Sequence, residues 1–377
     1  MKTLLCSVAM TLALVAGAPA APAHDHDDDV PALDHVFVIV LENHNSLTSF
    51  GSIGILDNPN APQITALAQT YNFASNYHGV WHPSLPNYVA MITGDWIGTD
   101  VLGTGHTYPV GSTVGISDDD SPSVATDYGP PANASLHRWR VNLPSLAGQL
   151  VAVGKDWRVY LQNLPEAGTS LANWPGDSNT GKVYAVKHNP FPYVAEIQDD
   201  PGEFAKQVPL EQLFSDLGSR QVPAFSYIVP DQCRDMHGLS NPLAPCGGAS
   251  NTDANDVKRG DDMTGWLVKA IMGSPVWHHG RNAIFIVFDE GNGPLTCPAY
   301  NPDKGPLLPP AECYDPNNFN DRVVLIAITN YGVRGVQDAR FQSHFSLLKT
   351  IEAAFGLPFL GHAADPTTNT LAPLLAP

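Results

Sequence analysis

Two unbroken apolar runs, His35-Val36-Phe37-Val38-Ile39-Val40-Leu41 and Ala283-Ile284-Phe285-Ile286-Val287-Phe288, constrain the fold more than any other part of the chain. Neither alternates polar with apolar residues, so neither suits a sheet with one wet face. Each reads as a strand buried on both sides, as in a parallel sheet covered by helices. Each run stops at carboxylates, the first at Glu42-Asn43 and the second at Asp289-Glu290-Gly291. Ligands of open α/β sheets bind beyond the carboxyl ends of the strands, so Glu42, Asn43, Asp289 and Glu290 are expected to converge on one crevice. Oxygen donors of this type suit a hard divalent cation.

Strand-like and helix-like segments alternate along the rest of the chain. Gln63 to Thr70, Pro209 to Gly218, Asp256 to Met272 and Ser343 to Phe355 read as helices, as does the stretch through Tyr88 to Ile92. Trp157 to Leu161, Ala224 to Val229 and Val323 to Thr329 read as strands. The pattern predicts an α/β fold with a doubly wound, mostly parallel central sheet. With 377 residues, 43% of them apolar, and no repeat or linker, residues 34–377 read as a single domain. Two intervals rich in Gly, Pro and Asp, Gly98 to Pro131 and Asn292 to Asn320, are either walls of the crevice or surface decoration.

The amino terminus has the charged start, apolar middle and small-residue exit of a secretory signal, with residues 1–20 as the signal peptide and cleavage after Ala20 or Ala23. Its apolar stretch is too short for a membrane span, so stable membrane insertion is not expected and the destination is periplasmic or secreted. Residues 21–33, with His24-Asp25-His26-Asp27-Asp28-Asp29, read as a flexible, solvated leader. Cys6 leaves with the signal, and Cys233, Cys246, Cys297 and Cys313 remain for an oxidising compartment. Sequence does not fix their connectivity, but Cys233 with Cys246 and Cys297 with Cys313 close short loops. A net charge of −18 and a pI near 4.9 argue against nucleic acid as a partner.

In His82-Pro83-Ser84-Leu85-Pro86-Asn87-Tyr88 a serine arrives at the start of a helix, where unpaired backbone N–H groups favour an anion. Ser84 is therefore either a helix cap or a hydroxyl placed to meet phosphate. Asn87 lies one helical turn on, where it could face the same ligand, and His82 either binds with it or packs. Asp235-Met236-His237 permits shared coordination of a second cation, or simple hydrogen bonding to backbone. His344, just ahead of a helix, is a leaving-group acid, an anion clamp, a helix cap, or a ligand of that second cation with Asp235 and His237.

Taken together, Glu42-Asn43, the Ser84 segment, Lys187-His188-Asn189-Pro190, Asp235-Met236-His237-Gly238, Asp289-Glu290-Gly291 and Ser343-His344 resemble the bacterial phosphoesterase family. That family contains secreted acid phosphatases and phospholipases C and belongs to the alkaline phosphatase superfamily. The matching segments run in order from about Asp34 to Leu357. The resemblance implies an alkaline-phosphatase-like α/β/α sandwich with Ser84 as a nucleophile that forms a covalent phosphoryl-enzyme. It implies a divalent metal cation, one or two ions of unassigned identity, held by Glu42, Asn43, Ser84, Asp289 and Glu290. It also implies His188, His237 and His344 as site histidines and Asp235 as their neighbouring acid.

Such chemistry explains the residue types. A serine hydroxyl attacks poorly unless a cation lowers its pKa, and the same cation draws charge from the phosphoryl oxygens. Histidines protonate the departing alkoxide or, charged at acid pH, clamp phosphate oxygens, which sets the expected optimum below neutrality. Phospholipase C members typically read Glu-Asn-Arg-Ser-Phe-Asp after the first strand and often attack with threonine. Here Glu42-Asn43-His44-Asn45-Ser46-Leu47 and Ser84 are more similar to the compact acid phosphatases, including the secreted mycobacterial type. The expected substrate is a small phosphate monoester. The alternatives are a phospholipase C-type phosphodiesterase and a non-catalytic secreted cation-binding protein. A sulfatase would need arginine where Tyr88 stands, and no Gly-x-Ser-x-Gly pentad of an α/β-hydrolase occurs.

Overall fold

The computed structural model describes residues 29–48, 53–80, 83–95, 143–170, 173–174, 183–248, 254–291 and 322–377. The signal segment, most of the leader, His82, the Cys297–Cys313 pairing and both long Gly/Pro/Asp-rich intervals lie outside the described residues. Leu33, at the end of the expected leader, is already buried, and its N–H donates to Ala354 O.

The main sheet is built from β1 (His35–Leu41), β2 (Asn72–Ala74), β4 (Trp157–Leu161), β5 (Gln207–Pro209), β6 (Phe225–Val229), β7 (Asn282–Phe288), β8 (Leu325–Thr329) and β9 (Gln337–Asp338). Their order is β5-β4-β6-β1-β7-β8-β2-β9, and β3 (Tyr77–His78) pairs separately with β10 (Gln342–Ser343). The two apolar runs lie side by side in parallel, Leu41 opposite Phe288, with β6 on the other flank of β1. Every residue of β6, β7 and β8 is buried, as expected for strands without a wet face.

One strand departs from the parallel arrangement. β8 runs antiparallel to both β7 and β2. An apolar run reports burial on both faces and says nothing of direction, which follows from where the connecting chain re-enters the sheet. The helix expected from Pro209 also shifts. Pro209 ends the edge strand β5, where a missing N–H is tolerated, and the helix begins at Glu211.

The principal helices are α1 (Pro62–Thr70), α2 (Ser84–Thr93), α3 (Leu146–Ala152), α4 (Glu211–Ser219), α5 (Ala254–Met272) and α6 (His344–Phe355). The chain passes from β6 through α5 to β7, crossing from one side of β1 to the other. Such a reversal of strand order opens a crevice at the carboxyl ends of β6, β1 and β7. Among the described residues no helix is long and apolar enough to cross a membrane.

Three helix ends are fixed by long-range contacts. Ala61 cannot cap α1, so Asp261 of α5 takes its place, accepting from Ile64 N at 2.8 Å and Gln63 N at 3.1 Å. All ten residues of α2 are buried, and the helix stops at Gly94, whose φ of 73° and contact with Leu360 O leave no room for a Cβ. Near the end of α6, Glu352 accepts from Leu360 N at 3.0 Å, and burial pushes its pKa from 4.5 up to about 8.

Replacing Asp261 with Ala leaves two amides of α1 without their acceptor, and urea denaturation is expected to show a loss of about 1–2 kcal/mol. Glu352 gives a pH signature. Its folded pKa lies above the unfolded one, so its contribution is fully present below pH 4.5 and is lost as pH rises through about 8. Thermal melts should fall across that window in the native chain, and Glu352→Gln should remove that component; an unchanged profile would refute the assignment.

Candidate active site

The crevice is stitched together by main-chain bonds before any side chain is considered. Glu42 leaves β1 and its N–H donates to Asp235 O at 2.8 Å, while Asp289 leaves β7 and donates to Leu41 O at 3.0 Å. Asn43 turns the chain with φ 58°, which brings its N–H 3.1 Å from Asp289 Oδ1. In the loop after β6, Met236 adopts φ 78°, and His237 N donates to Asp235 Oδ1 at 2.8 Å. Three adjacent strands thus deliver Glu42, Asp235 and Asp289 to one place, all fully buried.

Ser84 is the first residue of α2, and Pro83 occupies the capping position without a side-chain bond. The serine hydroxyl is therefore not spent on the helix. It donates to Glu42 Oε2 at 2.9 Å. Tyr88 follows one turn later on the same helical face and donates to Glu42 Oε1 at 2.6 Å. The Tyr88 ring stacks on His188, with centroids 5.5 Å apart and planes within 7°. His188 sits on the short turn Val186–His188 that packs against α2, with Nδ1 2.9 Å from Asp235 Oδ2 and Nε2 3.1 Å from Glu42 Oε1.

Burial controls the charge state of this cluster. Desolvation holds the Glu42 carboxyl well above the ordinary range, and the neighbouring Asp289 adds to it. Asp235 is raised by burial and then by Glu42, and Asp289 by burial and then by Glu290. The same burial, with Lys187 and His237 nearby, drives His188 well below its usual value, so its imidazole is neutral. A neutral ring that gives its Nδ1 proton to Asp235 presents a bare lone pair at Nε2.

The remaining residues singled out in the sequence divide between the two flanks of Glu42. On one side Asn87 is fully buried; its Oδ1 accepts from Val80 N at 2.8 Å, and its Nδ2 donates to Glu290 Oε2 at 3.4 Å. This clasps the chain ahead of Ser84. Asn43 contributes its main-chain N–H at Asp289 and is half-buried. His344 lies on the Asp289 side, its Nε2 2.5 Å from Asp289 O and its Nδ1 3.0 Å from the Tyr77 hydroxyl. On the other side His237 is half-buried, with Nδ1 2.7 Å from Gly238 O and Nε2 3.1 Å from Lys187 Nζ. His344 thus meets the Tyr77 hydroxyl and the Asp289 main chain. Three neighbours escaped the sequence reading. Tyr88 was signalled by its spacing from Ser84 and Lys187 by its place before His188, whereas nothing local marks Tyr77. The short-range disulfide Cys233–Cys246 is present and closes the loop that carries Asp235 and His237.

The donors suit a divalent cation. Glu42, His188 and His237 offer ligand atoms within 4.8 Å of one another, and Glu42, Ser84 and Asp289 supply oxygens beside them. His188 Nε2 and Asp289 Oδ2 are buried without a hydrogen-bond partner among the described residues, although Glu42 Oε1 lies 3.1 Å from that nitrogen. Orphaned buried acceptors are costly, and a cation is the partner this mixture of oxygen and nitrogen takes.

An α/β sheet that gathers a serine, three carboxylates and two histidines at its switch point defines a phosphoric ester hydrolase when set beside known sequences. The model of the Phosphoesterase family matches residues 37–358, and the chain belongs to that family. Among curated relatives, a phosphatidylinositol-3-phosphatase of Mycobacterium tuberculosis is 22% identical over 90% of this chain and 83% of its own length. An acid phosphatase of Aspergillus fumigatus is 22% identical over 76% of this chain, which spans about half (49%) of that protein. A solved structure of an alkaline phosphatase superfamily protein from Vibrio parahaemolyticus superposes with a TM-score of 0.47 and 14% identity, covering 90% of this chain and 72% of that one.

Tyr88→Phe removes the donor that fixes Glu42 Oε1 while keeping the ring that stacks on His188. Calorimetric titration with Mn²⁺ is expected to show affinity weakened by about 10–100-fold, the usual effect of losing a partner that orients a ligand. Wild-type affinity in the variant would mean that Tyr88 does not hold Glu42 for the ion.

Proposed function

We propose that this protein hydrolyses small phosphate monoesters through a covalent phosphoserine at Ser84, assisted by a divalent cation. The observation that carries the reading is the 2.9 Å contact of Ser84 Oγ with Glu42 Oε2 at the amino-terminal end of a fully buried helix. A hydroxyl there has an acceptor for its proton, and the helix end favours the phosphate it attacks. The monoester preference is supported by relatives named acid phosphatase and phosphatidylinositol-3-phosphatase.

Glu42, Ser84 and Asp289, with Asn43 and Glu290 beside them, would hold the cation. Once bound, it lowers the hydroxyl pKa and withdraws charge from the phosphoryl oxygens. Ser84 Oγ forms a bond to phosphorus as the ester P–O bond breaks, and its proton passes to Glu42 Oε2. Glu42 Oε2 already accepts the hydroxyl hydrogen of Ser84 at 2.9 Å, which places it to receive that proton. The departing alkoxide must also be protonated by a group that solvent can recharge. His188 and His344 are fully buried, whereas Lys187 and His237 are half-buried, so this task falls to the Lys187–His237 pair, whose Nζ and Nε2 lie 3.1 Å apart with a proton between them. Water then attacks phosphorus, the Ser84 Oγ–P bond breaks, and Ser84 recovers its proton from Glu42. Asp235 orients His188, and His344 and Tyr77 steady the Asp289 main chain. The signal-like amino terminus and the Cys233–Cys246 disulfide support an exported enzyme.

Ser84→Ala is expected to cut release of p-nitrophenol from p-nitrophenyl phosphate by at least ~10³-fold while the circular dichroism spectrum is unchanged. Chelation should abolish the same activity and a restored cation should return it. Retained turnover in Ser84→Ala would sink the covalent step, and faster release from bis-p-nitrophenyl phosphate than from the monoester would favour a diesterase.

A further inference from the structure

Lys187 carries its side-chain nitrogen into the candidate site. It precedes His188 on the turn Val186–His188 and is half-buried, with Nζ 3.1 Å from His237 Nε2. His237 Nδ1 lies 2.7 Å from Gly238 O. A carbonyl only accepts, so Nδ1 carries the ring proton, and Nε2 is the lone pair that meets the ammonium. Among the three residues whose ligand atoms gather within 4.8 Å, one lone pair is therefore already bound.

We propose that Lys187 is the fixed second cation of this centre. Its ammonium takes the His237 side of Glu42 in place of a second metal, and the site accepts one divalent ion, on the Ser84 side. The inference rests on the proposed hydrolase reading for what that single ion does, but the number of ions is independent of turnover. A lysine suits this task because it is a compact charge with three donors that no chelator removes.

The test counts metal. Wild type, Lys187→Met, Lys187→Arg and His237→Gln are stripped with chelator, reloaded with excess Mn²⁺, desalted and analysed by mass spectrometry for manganese per chain, with circular dichroism to confirm folding. One ion is expected in wild type, in Lys187→Arg and in His237→Gln. Two are expected in Lys187→Met, where the freed His237 Nε2 joins Glu42 and His188. Two ions in wild type, loss of an ion in His237→Gln, or a folded Lys187→Met that still binds one would each overturn the proposal. If Lys187→Met does not fold, the His237→Gln count decides alone. Wild type that releases no p-nitrophenol would defeat the hydrolase reading while the ion count still judged Lys187.

Discussion

The burial of Glu42, Asp235 and Asp289 in one pocket is the constraint around which the rest of this structure is arranged. Two like charges at about 4 Å repel by roughly 4 kcal/mol even at an effective dielectric near 20. A hydrogen bond to a charged group returns only about 1.5–3 kcal/mol. No single donor offsets the crowding, so the acids share several: the hydroxyls of Ser84 and Tyr88 and the main-chain amides of Asn43 and His237, with His188 lying between Glu42 and Asp235. What these donors leave uncompensated is the electrostatic reason for the site to take up cations.

That crowding is tolerable only because the surrounding fold is stiff. β1 sits between β6 and β7 with every contact in register, so the three strand ends cannot drift apart without breaking the sheet. α2 is buried on all sides and packs against α6 and against the turn that bears Lys187 and His188. Ser84 and Tyr88 therefore approach Glu42 from one rigid element and His188 from another. A site supported in this way keeps its geometry through packing, which is how preorganised centres avoid the cost of ordering themselves around a ligand.

Several residues serve the core and the site together. Tyr88 fills space beside Tyr227 and also binds Glu42. Asn87 clasps the chain before the helix and reaches Glu290. Tyr77 lies on the small two-stranded sheet and fixes the ring of His344, which in turn holds the main chain at Asp289. Stability and chemistry are thus coupled here through shared hydrogen bonds, and a change at any of these positions acts on both.

The sequence by itself determined the elements that depend on local pattern. Apolar runs without alternation specified β1, β7 and β8 as buried strands, the carboxylates at two of their ends marked the crevice, and the segment from His82 to Tyr88 put Ser84 at the start of a helix. Family motifs named His188, His237 and His344 without saying which groups each would meet. The tertiary structure alone decided the reversed direction of β8, the capping of α1 by Asp261, the placement of His344 with Tyr77 and the contact of Lys187 with His237. Those features rest on pairs such as Tyr77 and His344 or Ile64 and Asp261, remote in sequence and brought together only by folding. Periodicity within a single segment carries no information about the register between two distant ones.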